Sequence, residues 1–161
     1  MTGRNAGMTP SIQTVQAPKR TRATVLKDRV KVRLALDEAG PLIAEVLKEN
    51  DIEIPGADWS RVFPHWLIAT VDDNVIGCVM VLPAKPIGFC EFLHVKPSAG
   101  FKFKALAVRK LIMAAIATIY HGGSSYVAGM VDGKNQKFYG VLTKMGFVVC
   151  APGATMIKRL R

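Results

Sequence analysis

The run Leu93-His94-Val95-Lys96-Pro97, followed at once by a basic and apolar stretch from Phe101 to Tyr120, predicts a place where an anion could bind. A strand that stops at a proline hands the chain to a short loop. The helix after that loop begins with N–H groups that have no partner inside it. The helix dipole adds partial positive charge at the same end, and Lys102 and Lys104 add whole charges. Acid–base chemistry has fewer carriers. Glu91 and His94 share the strand, and a separation of three residues in a two-residue period should point them to opposite faces. His65 and His121 flank loops with no partner in view. No Ser/His/Asp set carries a nucleophile-elbow pattern, and no Cys/His cluster has zinc spacing. Cys78, Cys90 and Cys150 are odd in number and sit in apolar, strand-like surroundings, so they read as buried reduced thiols suited to a reducing compartment.

The elements that must position these groups follow from periodicity. Val30, Val32, Leu34 and Leu36 alternate with Lys31, Arg33 and Ala35, the pattern of a half-buried strand. Asp37 is a plausible cap for a helix carrying Leu42, Ile43, Val46 and Leu47 on one stripe. Residues 50–64 are irregular, with a short helical turn expected around Asp58 to Val62. Trp66 to Val71 and Val75 to Leu82 form a hairpin around Asp72-Asp73-Asn74. Pro83 to Pro86 turns the chain into a third strand, Ile87 to Val95. The long helix comes next and stops at Gly122-Gly123, a better role for those glycines than a phosphate loop. Its second half is apolar all round, which predicts a helix buried against a sheet. A strand, Ser125 to Val131, a helix capped by Asp132 and running from Lys134 to Met145, and a closing hairpin around Pro152-Gly153 complete the layout. The order is that of a mixed α/β (α+β) domain with one dominant sheet.

Half of the 161 residues are hydrophobic, enough for one compact domain, and no internal linker divides residues 30–161. The formal charge of +10 is concentrated at one end. Residues 1–33 hold eight basic side chains against the single acid Asp28, a net +7, so the remainder is close to neutral. Residues 1–29 therefore read as an extended basic arm and residues 30–161 as the folded domain. Such an arm suits an acidic protein surface or nucleic acid, and protein is favoured because residues 1–33 contain no aromatic side chain to stack on bases. A homo-oligomer is also open. The first residues lack the apolar core of a secretory signal. The longest apolar run, from Leu111 to Ala117, falls short of the roughly 18–20 residues needed to span a bilayer. A protein that is not secreted and not in a membrane is expected, cytoplasmic or, in a virus, part of the virion.

This order, with Leu93-x-Val95-x-Pro97 and with Asn135 followed at a set distance by Gly146-Phe147, resembles the GNAT (GCN5-related N-acetyltransferase) superfamily over residues 30–150. The resemblance implies a mixed, mostly antiparallel central sheet flanked by helices. It implies that backbone groups of Leu93, His94 and Val95 pair with the pantetheine arm of acetyl-CoA. The family's Arg/Gln-x-x-Gly-x-Gly/Ala loop, which cradles the pyrophosphate, falls on Gly100, Phe103 and Ala105, and only Ala105 fits the pattern. A benzyl group at the first-glycine place should obstruct the approach of phosphate to the backbone. Lys102 and Lys104 would restore charge there as flexible point charges. The tyrosine that protonates the leaving thiolate in many members falls on Leu142. Tyr139 lies about one helical turn earlier, roughly 4.5 Å away along the axis. Glu91 would deprotonate the acceptor amine through water, and Asn135 would line the cofactor end of the last helix.

Two functions follow from that pattern. In one, the fold is kept as a structural or interaction module of a larger assembly, such as a virion, with catalysis lost or weakened and no cofactor. Its contacts would run through the basic arm. In the other, the chain is an acyl-CoA-dependent N-acetyltransferase that uses acetyl-CoA, with Glu91 as base and Tyr139 as acid.

Overall fold

The computed structural model describes residues 22–53, 65–131, 135–150 and 155–160. The expected turn at Asp58 to Val62, the Asp132 cap, the Pro152-Gly153 turn and residues 1–21 of the arm lie outside them. The arm's end, residues 22–29, is not extended. Arg22–Arg29 forms a helix, α1, because this stretch has no Gly or Pro, contains Arg, Ala, Leu and Lys, and places Lys27 and Arg29 in the last turn where the dipole favours cations. Lys110 then holds that end, donating from Nζ to the carbonyls of Lys27 (2.6 Å) and Val30 (2.5 Å).

Strand β1, Val30–Leu34, follows directly. A short 3-10 turn, Asp37–Ala39, precedes α2, Gly40–Lys48. The α-helix thus starts two residues later than an Asp37 cap implies. Pro41 explains this, since its missing N–H and fixed φ suit the first turn of a helix. Strands β2 (Trp66–Val71) and β3 (Asn74–Leu82) make the expected hairpin. Its two loop residues, Asp72 and Asp73, both have positive φ (49° and 66°), the turn whose twist matches a two-residue hairpin. Strand β4, Ile87–Val95, leads through the loop to α3, Phe101–His121. Then come β5 (Tyr126–Met130), α4 (Gln136–Lys144), β6 (Val148–Val149) and β7 (Thr155–Arg159). Helix α4 is capped by Asn135, whose side-chain oxygen accepts from the Phe138 N–H.

The described strands form one sheet in the order β1-β2-β3-β4-β5-β7-β6, antiparallel except at β4–β5. Helix α3 crosses one face and α2 covers part of the other. Ala107, Leu111, Ala115 and Ile119, four residues apart, form the buried stripe of α3 and meet Val79, Val81 and Val127 from the sheet. The expectation that its second half lies buried against the sheet holds for Leu111, Ile112, Ala115 and Ile119, while Met113 and Tyr120 on the far side are exposed. One sheet face covers only one side of a helix, and the described residues put no second layer over α3. Gly88 lets α3 approach β4 closely: a Cβ there would lie 2.5 Å from the Ile119 side chain. On the other face Ile43, Val46 and Leu47 pack on Trp66, Ile68 and Cys78. No described helix is long and apolar enough to cross a membrane.

Candidate active site

The site is built where two parallel strands separate. Strands β4 and β5 pair only over Ile87–Phe89 with Tyr126–Ala128. Each is held on its other edge, β4 by β3 and β5 by β7, so beyond Phe89 they diverge. At the fork a Cβ on Gly129 would come within 2.8 Å of the Cys90 carbonyl, which is why the strand carries no side chain there. The opening holds a cavity of about 250 Å³, with Leu93, Ile112, Leu142, Phe147 and Met156 among its walls. Its character is apolar, with Cys90, Glu91, His94 and Asn135 as the ionisable or amide side chains on its lining.

Strand β4 presents open backbone to that cavity. The Lys96 N–H donates to the Ile76 carbonyl, and His94 sits opposite Cys78. Alternation along an antiparallel pair then turns the polar backbone of Leu93 and Val95 away from β3, into the fork. The Val95 carbonyl accepts from Asn50 Nδ2 at 3.3 Å, which leaves Leu93 as the freer of the two. A β-bulge interrupts the strand at Phe92 and Leu93, which together face one residue of β3, and Phe92 takes φ 51°. The bulge corrects the reading of Glu91 and His94. Glu91 pairs with Met80 and His94 with Cys78, two positions apart on β3, so both carry their side chains on the α2 face. Burial lowers the pKa of His94, which keeps the imidazole neutral at pH 7 as a proton acceptor.

The loop from Lys96 to Gly100 is tied to α2. Lys96 pairs with Glu45 (2.5 Å) and Glu49 (3.5 Å), and the Ser98 hydroxyl donates to Glu49 at 2.7 Å. The Ser98 hydroxyl hydrogen bond, the largest effect, lowers the Glu49 pKa against the opposing effect of burial, and the Ser98 backbone N–H and the charge of Lys96 add to the lowering. Lys104 closes the loop from the other side, its Nζ donating to the Pro97 carbonyl at 3.0 Å. The Gly100 carbonyl accepts from Phe103 and Lys104, whereas the N–H groups of Phe101 and Lys102 meet no acceptor among the described residues. The Phe103 side chain lies close to the helix start, one ring carbon 3.7 Å from where a Gly100 Cβ would stand. Its ring turns into the α3 side of the core beneath the Arg29 guanidinium, 5.1 Å from the ring centre. Phe101 stands 83% exposed. Gly100 has φ −57° and room for a Cβ, and Ala105 lies exposed on the helix one turn on, so neither is under steric demand.

The last helix supplies Leu142 to the cavity wall at the place expected for a tyrosine. Tyr139 donates its hydroxyl to the Val131 carbonyl at 3.4 Å. Asn135 spends its oxygen on the α4 cap at the cavity's rim. Burial, reinforced by the charge of Glu91, raises the Cys90 pKa to about 11, and burial raises that of Cys78 to about 12. Neither thiol is a nucleophile near neutrality. Cys150 is exposed, contrary to the expectation for all three, because it continues β6, the outermost described strand on its side of the sheet, where Val148 and Val149 are exposed as well. Sequence periodicity could not find the bulge, since one extra residue leaves no mark in an apolar run. The Lys96 anchor did have a signal: Glu45 and Glu49, four apart, share one face of α2.

No family model matches the sequence, and no curated protein matches it significantly. Solved structures do match the fold. N-acetylglutamate synthase from Neisseria gonorrhoeae, complexed with coenzyme A and L-arginine, is 17% identical and superposes with a TM-score of 0.68 over 82% of this chain. This chain spans 33% of that synthase. The PaiA N-acetyltransferase of Thermoplasma acidophilum, in complex with coenzyme A, gives 0.64 at 16% identity over 81% of this chain and 99% of its own. YncA of Salmonella typhimurium, with its cofactor acetyl-CoA, gives 0.66 at 14% identity over 83% and 95%. With the strand fork, the β4 bulge and the open helix start in place, the fold of this chain is that of the GNAT superfamily of acetyltransferases.

Proposed function

We propose that the chain binds an acyl-CoA, acetyl-CoA in the first instance, across the β4–β5 fork and transfers its acyl group to an amine. The observation that carries this reading is the Leu93 backbone, turned out of the β3 ladder toward an apolar cavity of about 250 Å³. A bound acyl-CoA would supply an activated thioester carbonyl. The Leu93 N–H and C=O suit the amide groups of a pantetheine arm, and the Phe101 and Lys102 N–H groups with the Lys102 ammonium suit a pyrophosphate. Lys96 adds no net charge there, being paired with Glu45 and Glu49. Apolar walls at Leu142 and Phe147 exclude water from the fork. Glu91, on the α2 face, takes the proton of the incoming amine, and neutral His94 on the same face offers a second acceptor.

Calorimetry with acetyl-CoA tests the reading. A Kd in the micromolar range is expected, weakened about tenfold by Leu93→Pro, which removes an outward N–H without costing a β3 bond, and also by Lys102→Glu. No heat at millimolar acetyl-CoA overturns it. One observation favours a second reading, a binding module without turnover: Leu142 stands at the acid's place while the Tyr139 hydroxyl is engaged at Val131. Tight acetyl-CoA binding with no release of CoA thiol in the presence of amines would select it.

A further inference from the structure

The opposite margin of the sheet carries a second site. Strand β1 is one of the two edge strands of the sheet that the described strands form. The Ala35 N–H donates to the Trp66 carbonyl, so Lys31 and Arg33 share its orientation toward β2, and the polar backbone of Val30, Val32 and Leu34 points outward. The Val30 carbonyl is taken by Lys110 and the Leu34 carbonyl by Arg33. The N–H and C=O of Val32 meet no partner among the described residues. Beside them, between α1, β1 and α3, lies a recess of about 340 Å³ lined by Lys27, Val32, Leu106, Arg109, Lys110 and Met113. It combines three cations with three apolar side chains and has no acid in its lining. Lys110 is spent on carbonyls, whereas Lys27 and Arg109 pair with no carboxylate among the described residues. Asp28, the nearest acid in sequence, already has an interaction of its own. Lys31 and Arg33 stand on the other face of the same strand.

Basic side chains on an edge strand often serve only to repel unwanted pairing. That accounts for Lys31 and Arg33. It does not account for Lys27 and Arg109 around an apolar recess, nor for Met113 left 54% exposed in it. The charge also decides between occupants. The chain's own residues 1–21 carry Arg4, Lys19 and Arg20 with no acid, so they are repelled. A second copy pairing edge to edge would bring Lys31 and Arg33 against their own kind. Nucleic acid would find no aromatic platform and would leave the Val32 amide and carbonyl unused.

We infer that the β1 edge docks an extended acidic segment of a partner protein, which adds a strand beside Val30–Leu34. Alternate side chains of that segment would meet Lys27, Arg109 and the apolar floor on one face and Lys31 and Arg33 on the other. The inference is independent of acyl-CoA binding. It is tested by fluorescence anisotropy of the full chain with a labelled acidic peptide of about ten residues, glutamates flanking two central valines. Saturable binding is expected, roughly tenfold weaker for the double variant Lys27→Glu, Arg109→Glu. The same peptide N-methylated at alternate amides keeps its charge and should not bind, and Val32→Pro should have the same effect from the protein side. The N-methylated peptide requires no variant, so a folding defect cannot mask the result. The inference is overturned by equal affinity for the N-methylated peptide, by tighter binding of a single-stranded DNA of equal charge, or by no saturation at millimolar peptide. Concentration-dependent dimerisation abolished by Val32→Pro would overturn it too, in favour of a second copy.

Discussion

Glu91 and His94 lie on the same face of β4 although three residues separate them, because the bulge at Phe92 resets the alternation between them. Without it, one side chain would face α3 and the other α2. With it, a carboxylate and a neutral imidazole stand together beside the fork where the Leu93 backbone is open.

Their shared face puts the two groups beside one candidate route for the amine's proton. Glu91→Gln should lower kcat/KM for the amine roughly a hundredfold and His94→Gln roughly tenfold, with acetyl-CoA affinity nearly unchanged. The double variant should lose less than the product of the two, since both changes act on one proton path. A double-mutant cycle on initial rates measures this. Strict additivity would mean that the residues act apart.

How much of this is legible in the sequence divides along physical lines. Strand and helix periods arise from repeated burial, so the β2–β3 hairpin, the Phe101 to Tyr120 helix and the strand that ends at Pro97 can all be read from it. Single-residue events are not periodic. The Phe92 bulge reverses the reading of Glu91 and His94, and Pro41 moves the start of α2. Phe103 falls on the helix as expected, but its ring packs against the core and under Arg29, long-range contacts that no local pattern discloses. The arm's helical end is hidden where charge is weighed more heavily than helix propensity over residues 22–29.

The buried thiols set an alkaline limit on stability. Cys78 and Cys90 have folded pKa values raised to about 12 and about 11, above their ordinary value of 9.0. Above pH 9 the unfolded thiols ionise while the folded ones keep their protons, so stability is complete below pH 9 and falls as pH rises toward 11 and 12. Each thiol should contribute a slope approaching about 1.4 kcal/mol per pH unit in that window. Urea denaturation between pH 8 and pH 10.5 should show this slope, and Cys78→Ala and Cys90→Ala should each reduce it. In the native protein iodoacetamide should label exposed Cys150 first.

Lys110 fastens α1 to the sheet edge through two carbonyls. Lys110→Met keeps the apolar stem and removes both bonds, at an expected cost of about 1–3 kcal/mol for hydrogen bonds from a charged donor. Hydrogen exchange should quicken over Arg22–Leu34 and stay unchanged in β5 and β7. Equal loss of protection everywhere would mean that α1 is not held separately from the core.

Two glycines should respond in opposite directions to the same substitution. A Cβ on Gly129 would lie 2.8 Å from the Cys90 carbonyl, a backbone atom that cannot swing away, so Gly129→Ala must push β4 and β5 further apart. The expected loss is about 1–3 kcal/mol, in the range of overpacking, accompanied by weaker acetyl-CoA binding as the fork is reshaped. Gly140 sits inside α4, where an added Cβ would meet nothing within 4 Å, and alanine there gains helix propensity at no steric cost. Gly140→Ala should therefore stabilise the protein by about 0.5–1 kcal/mol and leave binding unaltered. Thermal melts and calorimetry on the two variants separate fork geometry from general stability: if both variants bind acetyl-CoA like the parent, the spacing at Gly129 does not shape the site.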